Sequence, residues 1–214
     1  MKARRQGLLG TALLALFTPA CGLGEGEGEV SSDKLNVTDC WNGQFELRPD
    51  FFAASPYRRM LAIRVQHGGN VQEVSDGVVI LVDDIDKVRE HIAQHPGEPL
   101  RVGLPPSVVP PGFPVTPDPD PPLVHLTLYL HRGCHAQNAA LYSLEGGIVF
   151  QSIFNGNLHE SDDREKLTEA SFTDIVVGDP RDREPGTDTV ANVSHLKGHF
   201  RFYFRRGQPA QPFP

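Results

Sequence analysis

Apolar and polar residues alternate with a period of two along most of this chain, and that pattern limits it to strands with one face buried. Trp41, Gly43, Phe45 and Leu47 alternate with Asn42, Gln44 and Glu46, and Leu61, Ile63 and Val65 with Ala62, Arg64 and Gln66. Val124, Leu126, Leu128 and Leu130 alternate with His125, Thr127, Tyr129 and His131. The run Gly77–Val82, GVVILV, is apolar throughout and suits a strand covered on both faces. Leu100, Val102 and Leu104 predict a short strand. Residues 139–144 and 148–154 predict a hairpin turning on Glu145-Gly146-Gly147. Further strands are predicted over 171–177 and 193–204. One helix is expected, over 85–95, with Asp84 as its N-cap and Pro96-Gly97 as its stop. With 19 prolines and 21 glycines supplying turns, the expectation is an all-β, mainly antiparallel sandwich of about nine strands with one short helix. A small β-barrel is the alternative.

The N-terminus has a different character. Lys2, Arg4 and Arg5 form a basic head, residues 8–17 are mostly apolar, and Thr18-Pro19-Ala20 places small residues before Cys21. This is the layout of an export signal, too short to remain as a spanning helix. It resembles a bacterial lipoprotein signal. The resemblance implies that Cys21 becomes the mature N-terminus and carries more than one acyl chain, palmitate among them, which gives a stable anchor. Gly22 after the cysteine implies the outer membrane. Cleavage after Ala20 without lipid, giving a secreted or periplasmic protein, is the other reading. Residues 22–34, GLGEGEGEVSSDK, hold little to bury and are expected to form a flexible tether, with a reach of roughly 20 Å. The expected organisation is a signal over 1–20, a lipidated cysteine and tether over 21–34, and one β domain over 35–214. Together with the terminal RRGQPAQPFP, these features resemble exported lipoproteins of the myxobacterial type, some of which serve gliding motility or envelope assembly.

Three cysteines are present, Cys21, Cys40 and Cys134. An exported chain permits disulfides, and with Cys21 taken by lipid, Cys40 and Cys134 are left to pair. Closing a loop of that length stabilises by roughly 4.7 kcal/mol in the chain-entropy account. The competing role for Cys134, as a nucleophile or metal ligand beside His131 and His135, is disfavoured by the oxidising compartment.

Little else signals chemistry. There is no H-E-x-x-H or G-x-S-x-G motif. His91 and His95 share a helix face and His195 and His199 a strand face, but neither pair supplies three metal ligands. Asp83-Asp84 and Asp162-Asp163 fall in turns, where aspartate is common. No metal, cofactor or catalytic residue is assigned. The net charge is −7, and about −10 once the three basic residues of 1–20 are removed, which argues against nucleic acid as a partner. Residues 105–122 hold nine prolines and read as a stiff connector or, alternatively, a projecting arm. Residues 178–189 read as a solvated acidic turn.

One segment rises above this background. In 195–206, HLKGHFRFYFRR, Leu196, Gly198, Phe200, Phe202 and Phe204 define a core face. His195, Lys197, His199, Arg201, Tyr203 and Arg205 define the other, a basic stripe on an acidic protein. Exposed, it would engage an anionic polysaccharide or an acidic envelope protein; opposite acids such as Glu169, it would be spent on cross-strand pairs. The reading of the chain is a lipid-anchored envelope protein without catalytic activity, acting as a binding or assembly module. A component of a motility or export complex and a hydrolase of envelope polymers are the alternatives. The wild-type protein should partition with membranes into detergent, and Cys21→Ala should move it to the soluble fraction. A soluble wild type with an unmodified Cys21 by mass spectrometry would remove the anchor.

Overall fold

The computed structural model describes residues 26–68, 75–108, 118–131, 134, 139–184 and 189–206. Ten strands form: β1 Gly26–Val37, β2 Trp41–Leu47, β3 Phe51–Tyr57, β4 Met60–Gln66, β5 Gly77–Val82, β6 Leu100–Arg101, β7 Val124–Leu130, β8 Ala139–Ser152, β9 Leu167–Gly178 and β10 Ser194–Tyr203. Helix α1 spans Ile85–Gln94 and a single turn, α2, spans Asp163–Lys166. The all-β, antiparallel fold with one short helix is as the periodicity predicts. In place of the two sheets of a sandwich, the strands form one continuous sheet in the order β2-β1-β10-β9-β8-β7-β5-β4-β3, with β6 added to β8.

That sheet is curled, and two phenylalanines show it. Phe52 on β3 stacks on Phe202 on β10 with ring centroids 5.8 Å apart, although the two strands stand six places apart in the order. A flat sheet would separate them by about 29 Å at 4.8 Å per strand. The enclosed face carries the core, with Phe52, Ile63, Ile80, Leu126, Leu128, Phe154, Phe200 and Phe202 all buried. Helix α1 begins where expected: the Asp84 carboxylate accepts from the backbone N–H groups of Asp86 and Lys87, satisfying two of the free donors of the first turn.

The expected tether is where the structure departs most from the sequence reading. Residues 26–34 are not free chain but most of β1, an interior strand paired to both β2 and β10. The Gly/Glu alternation is itself a strand pattern. Gly26 and Gly28 turn toward the core, where a Cβ would come within 2.5 Å of the Phe52 ring and 2.9 Å of Phe200 Cβ, respectively. Glu27 and Glu29 point outward. Glycine is required because the aromatic rings occupy the space of its missing side chains. Residues 21–25, including Cys21, lie outside the described residues.

The predicted hairpin over 139–154 is also replaced. Glu145-Gly146-Gly147 does not turn the chain back; β8 runs straight through it, with register shifts against β9 between Ser143 and Glu145 and between Gly146 and Val149. Gly146 has φ +122 and its absent Cβ would sit 2.5 Å from the Asp174 carbonyl oxygen. A Cβ on Gly147 would meet Pro99 at 2.8 Å. These glycines are bulge positions that bend a long strand, letting one side pair with β7 and β6 in succession while β9 follows the other. β3 escapes the alternation rule because FFAASPY contains a proline; it lies on the sheet edge, where Pro56 removes no needed donor.

Both faces of the central strands are covered. β5 is buried on both, as its composition predicts. β7 is too, although its alternation predicts a solvated face: His125 and Thr127 are buried. The segment after β6 crosses outside them, and the Gly103 carbonyl accepts from Ser143 Oγ at 2.7 Å and lies 2.9 Å from His125 Nδ1. A Cβ on Gly103 would meet Pro122 at 2.7 Å, so the proline-rich segment leaves and returns at one place. Its residues 109–117 lie outside the described residues.

Cys40 and Cys134 form the expected disulfide, with Cα atoms 5.4 Å apart and a sequence separation of 94. It ties the β1–β2 turn to the chain after β7, strands five places apart between β2 and β7 in the sheet. Replacing both cysteines with serine should cost about 2–5 kcal/mol, and at about 2–4 °C per kcal/mol for a chain of this size a melting curve reads it directly. Gly146→Ala should destabilise by more than about 1 kcal/mol through its positive φ and the contact with the β9 backbone. A melting temperature unchanged by either substitution would contradict this account of the curl.

Candidate functional site

The basic stripe is placed as the alternation predicts. His195, Lys197, His199 and Arg201 are exposed on the outer face of β10, Tyr203 is half-buried and Arg205 is exposed beyond the strand end. Its neighbours are acidic on both sides. His195 Nδ1 lies 2.7 Å from an Asp174 oxygen on β9, Lys197 Nζ lies 2.7 Å from Asp33 on β1, and Arg201 Nε lies 3.6 Å from Glu169. Glu27 stands opposite Arg201 and Glu29 opposite His199 in the β1–β10 register, and directly opposed side chains share a face. The stripe is the middle row of a three-strand lattice of alternating sign. Each exposed pair contributes only about 0–1 kcal/mol, but together they cancel the positive field that would attract a polyanion.

A second feature lies at the far end of the sheet, where β7 ends, β8 begins and β9 passes into a short 3-10 turn, Pro180–Asp182. Here a cleft of about 360 Å³ is walled by Val108, Tyr129, His131, Tyr142, Pro180 and Arg181, with Ala139, Ala140 and Asp179 completing it. β-pairing explains the convergence. Thr127 stands opposite Tyr142 and Tyr129 opposite Ala140, while Tyr142 also faces Gly178, the residue before Asp179.

His131 is the unusual member. It is 7% exposed, and among the described residues neither ring nitrogen has a hydrogen-bond partner. Its ring lies parallel to that of Tyr129, centroids 5.9 Å apart and planes 5° apart. A buried polar group with no partner is costly. Burial, reinforced by Tyr142, pushes the Tyr129 phenol above its ordinary range, so it stays neutral.

Beside it lies a second lobe of about 290 Å³ that shares Ala139, Ala140, Asp179 and Arg181 in its lining and adds Asn36, Thr38, Asp39, Asp182 and Asn192. Thr38 Oγ1 donates to Asp182 at 2.9 Å and Asn36 Nδ2 to Asn192 Oδ1 at 3.3 Å. Asp39 and Asn192 both sit at positive φ, 58 and 57, which short polar side chains tolerate. On the boundary between the lobes, Asp179 accepts from the Arg181 backbone N–H, from Nε and from Nη2 at 2.6–3.0 Å. Burial opposes ionisation of Asp179, but the hydrogen bonds and charge of Arg181 outweigh it and hold the carboxyl below its usual range. The same contacts raise Arg181.

The remaining candidates have structural partners. Asp84 and Asp162 are helix N-caps, and Asp83 lies 3.3 Å from His125 Nε2. His91 and His95 contact each other and the chain at Glu98, and Cys134 is in the disulfide. Among the described residues no group of three or more His, Cys, Asp and Glu side chains is placed to hold a metal. No protein family, curated protein or solved structure matches the chain.

The Asp179–Arg181 pair makes a pH prediction. Because the folded carboxyl lies below its unfolded value of about 3.9, the stabilisation is present above that pH and is lost as pH falls through the folded value. Asp179→Asn should therefore lower the urea midpoint at pH 7 and flatten the loss of stability below about pH 4. Identical midpoint-against-pH curves for the two proteins would show that the pair contributes nothing.

Proposed function

We propose that this protein is an exported, lipid-anchored component of the bacterial cell envelope that acts as a binding module, with its ligand site in the two-lobed groove at the β7–β8–β9 end of the sheet. The export signal ending at Cys21 and the oxidised Cys40–Cys134 pair support the compartment. The observation that carries the site is His131, buried against Tyr129 in the wall of a cleft, with no partner for either ring nitrogen among the described residues. Ligand sites are concave, largely apolar and furnished with a few convergent polar groups, and this groove has that composition. Unsatisfied groups that lower stability concentrate where function requires them.

In the basic stripe, by contrast, His195, Lys197 and Arg201 are committed to Asp174, Asp33 and Glu169, which favours a structural role for these three over capture of anionic polymers.

The reading separates stability from function at one residue. His131→Leu removes the unpartnered imidazole and should leave stability equal or raise it by about 1 kcal/mol. The same variant, immobilised in parallel with wild type and exposed to solubilised envelope material, should lose the retention that wild type shows. Retention by both proteins alike, or by neither, would remove the groove as the functional site.

A further inference from the structure

The chemistry of the groove goes further than the existence of a ligand. Its charges are nearly all spent or negative. Arg181, the only Lys or Arg among the described lining residues, is held by Asp179 through its guanidinium Nε and Nη2, and Asp39 and Asp182 add negative charge in the second lobe. A phosphate, a nucleotide or an acidic polysaccharide would meet net repulsion there. An added peptide strand would find little ladder to join: Tyr142 already pairs with both β7 and β9, and only Ala139, Ala140 and Leu141, paired with β7 alone, leave an edge of three residues.

What remains is a division of labour between the lobes. The first presents flat apolar walls, the rings of Tyr129 and Tyr142 with Pro180 and Val108, plus one imidazole in need of a partner. The second presents planar polar groups, the amides of Asn36 and Asn192 and the carboxylates of Asp39 and Asp182, beside the Thr38 hydroxyl. A carboxylate accepts two hydrogen bonds and an amide both donates and accepts, which matches neighbouring hydroxyls on one ring. A sugar ring combines apolar C–H faces with a rim of such hydroxyls, and the flat aromatic walls suit the faces. The lobes are similar in volume and share Ala139, Ala140, Asp179 and Arg181 in their linings.

We infer that the groove binds an uncharged glycan, with consecutive sugar units in its two lobes and a hydroxyl or acetamido oxygen on His131. This rests on the groove being the ligand site, as proposed above.

The test uses the mature chain, titrated with chitotetraose, maltotetraose and tetragalacturonate while the histidine and tyrosine ring resonances are followed by NMR. At least one neutral tetrasaccharide should shift the His131 and Tyr142 signals saturably. Tetragalacturonate should bind at least about tenfold more weakly, the effect of one lost good contact. His131→Leu in the first lobe and Asn36→Ala in the second should each weaken the neutral sugar by about tenfold, and Lys197→Ala, outside the groove, should not. Asn36 is half-buried near the end of β1 and its side chain makes an exposed contact with Asn192, so its variant reports on the ligand even where a core change disturbs folding. If tetragalacturonate binds more tightly, or neither neutral sugar shifts the rings, the glycan assignment is wrong. The separate loss of envelope retention in His131→Leu then decides whether the groove is a binding site for something else.

Discussion

The fold depends on how closely β1 approaches the phenylalanines of β3 and β10. A single antiparallel sheet must bring distant strands together to enclose a core, and Phe52 and Phe202 meet only because Gly26 leaves room for their rings. With Gly28 against Phe200, the two glycines let an interior strand lie almost flat on an aromatic layer. The glycines cost backbone entropy, and the buried aromatic surface offsets it. On the other flank the Gly146-Gly147 bulge bends β8, and the disulfide fastens the β1–β2 turn to the chain after β7. Curl, bulge and crosslink act on one problem, the closure of a sheet that has only one short helix to help cover it.

This explains which elements could be read from sequence. β5, α1 and the core face of β10 have compositions that only one environment satisfies: GVVILV needs two covered faces, and Asp84 before an apolar period needs a helix. The start of β1 is illegible because its core-facing residues there, Gly26 and Gly28, carry only hydrogen atoms as side chains. Its hydrophobicity is supplied by Phe52, Phe200 and Phe202, far off in sequence, so composition alone reads as disorder. Glu145-Gly146-Gly147 is ambiguous for a related reason, since glycine serves a turn and a bulge equally and only the paired β9 backbone distinguishes them.

The site divides in the same way. The basic row of β10 was visible as a pattern, but its partners Glu27, Glu29 and Asp33 sit in the stretch that composition assigns to a tether, so its charge looked unopposed. The groove draws on residues 36–39, 108, 129, 131, 139–142, 179–182 and 192, and no local spacing links them. His131 attracted notice only as a neighbour of Cys134. Its burial without a partner is a property of packing, and sequence has no notation for it.

The register of β1 has a geometric consequence for the whole molecule. Gly26 starts the strand, and Asn36, Thr38 and Asp39 of the second lobe lie at and just past its other end, roughly 35 Å away at the rise of an extended chain. Only residues 22–25 separate the proposed anchor at Cys21 from Gly26, a span of at most about 18 Å. A lipid at Cys21 would thus hold the domain upright and near the bilayer, with β1 as a mast. The groove would then open at the top, facing the space beyond the membrane and clear of the headgroups.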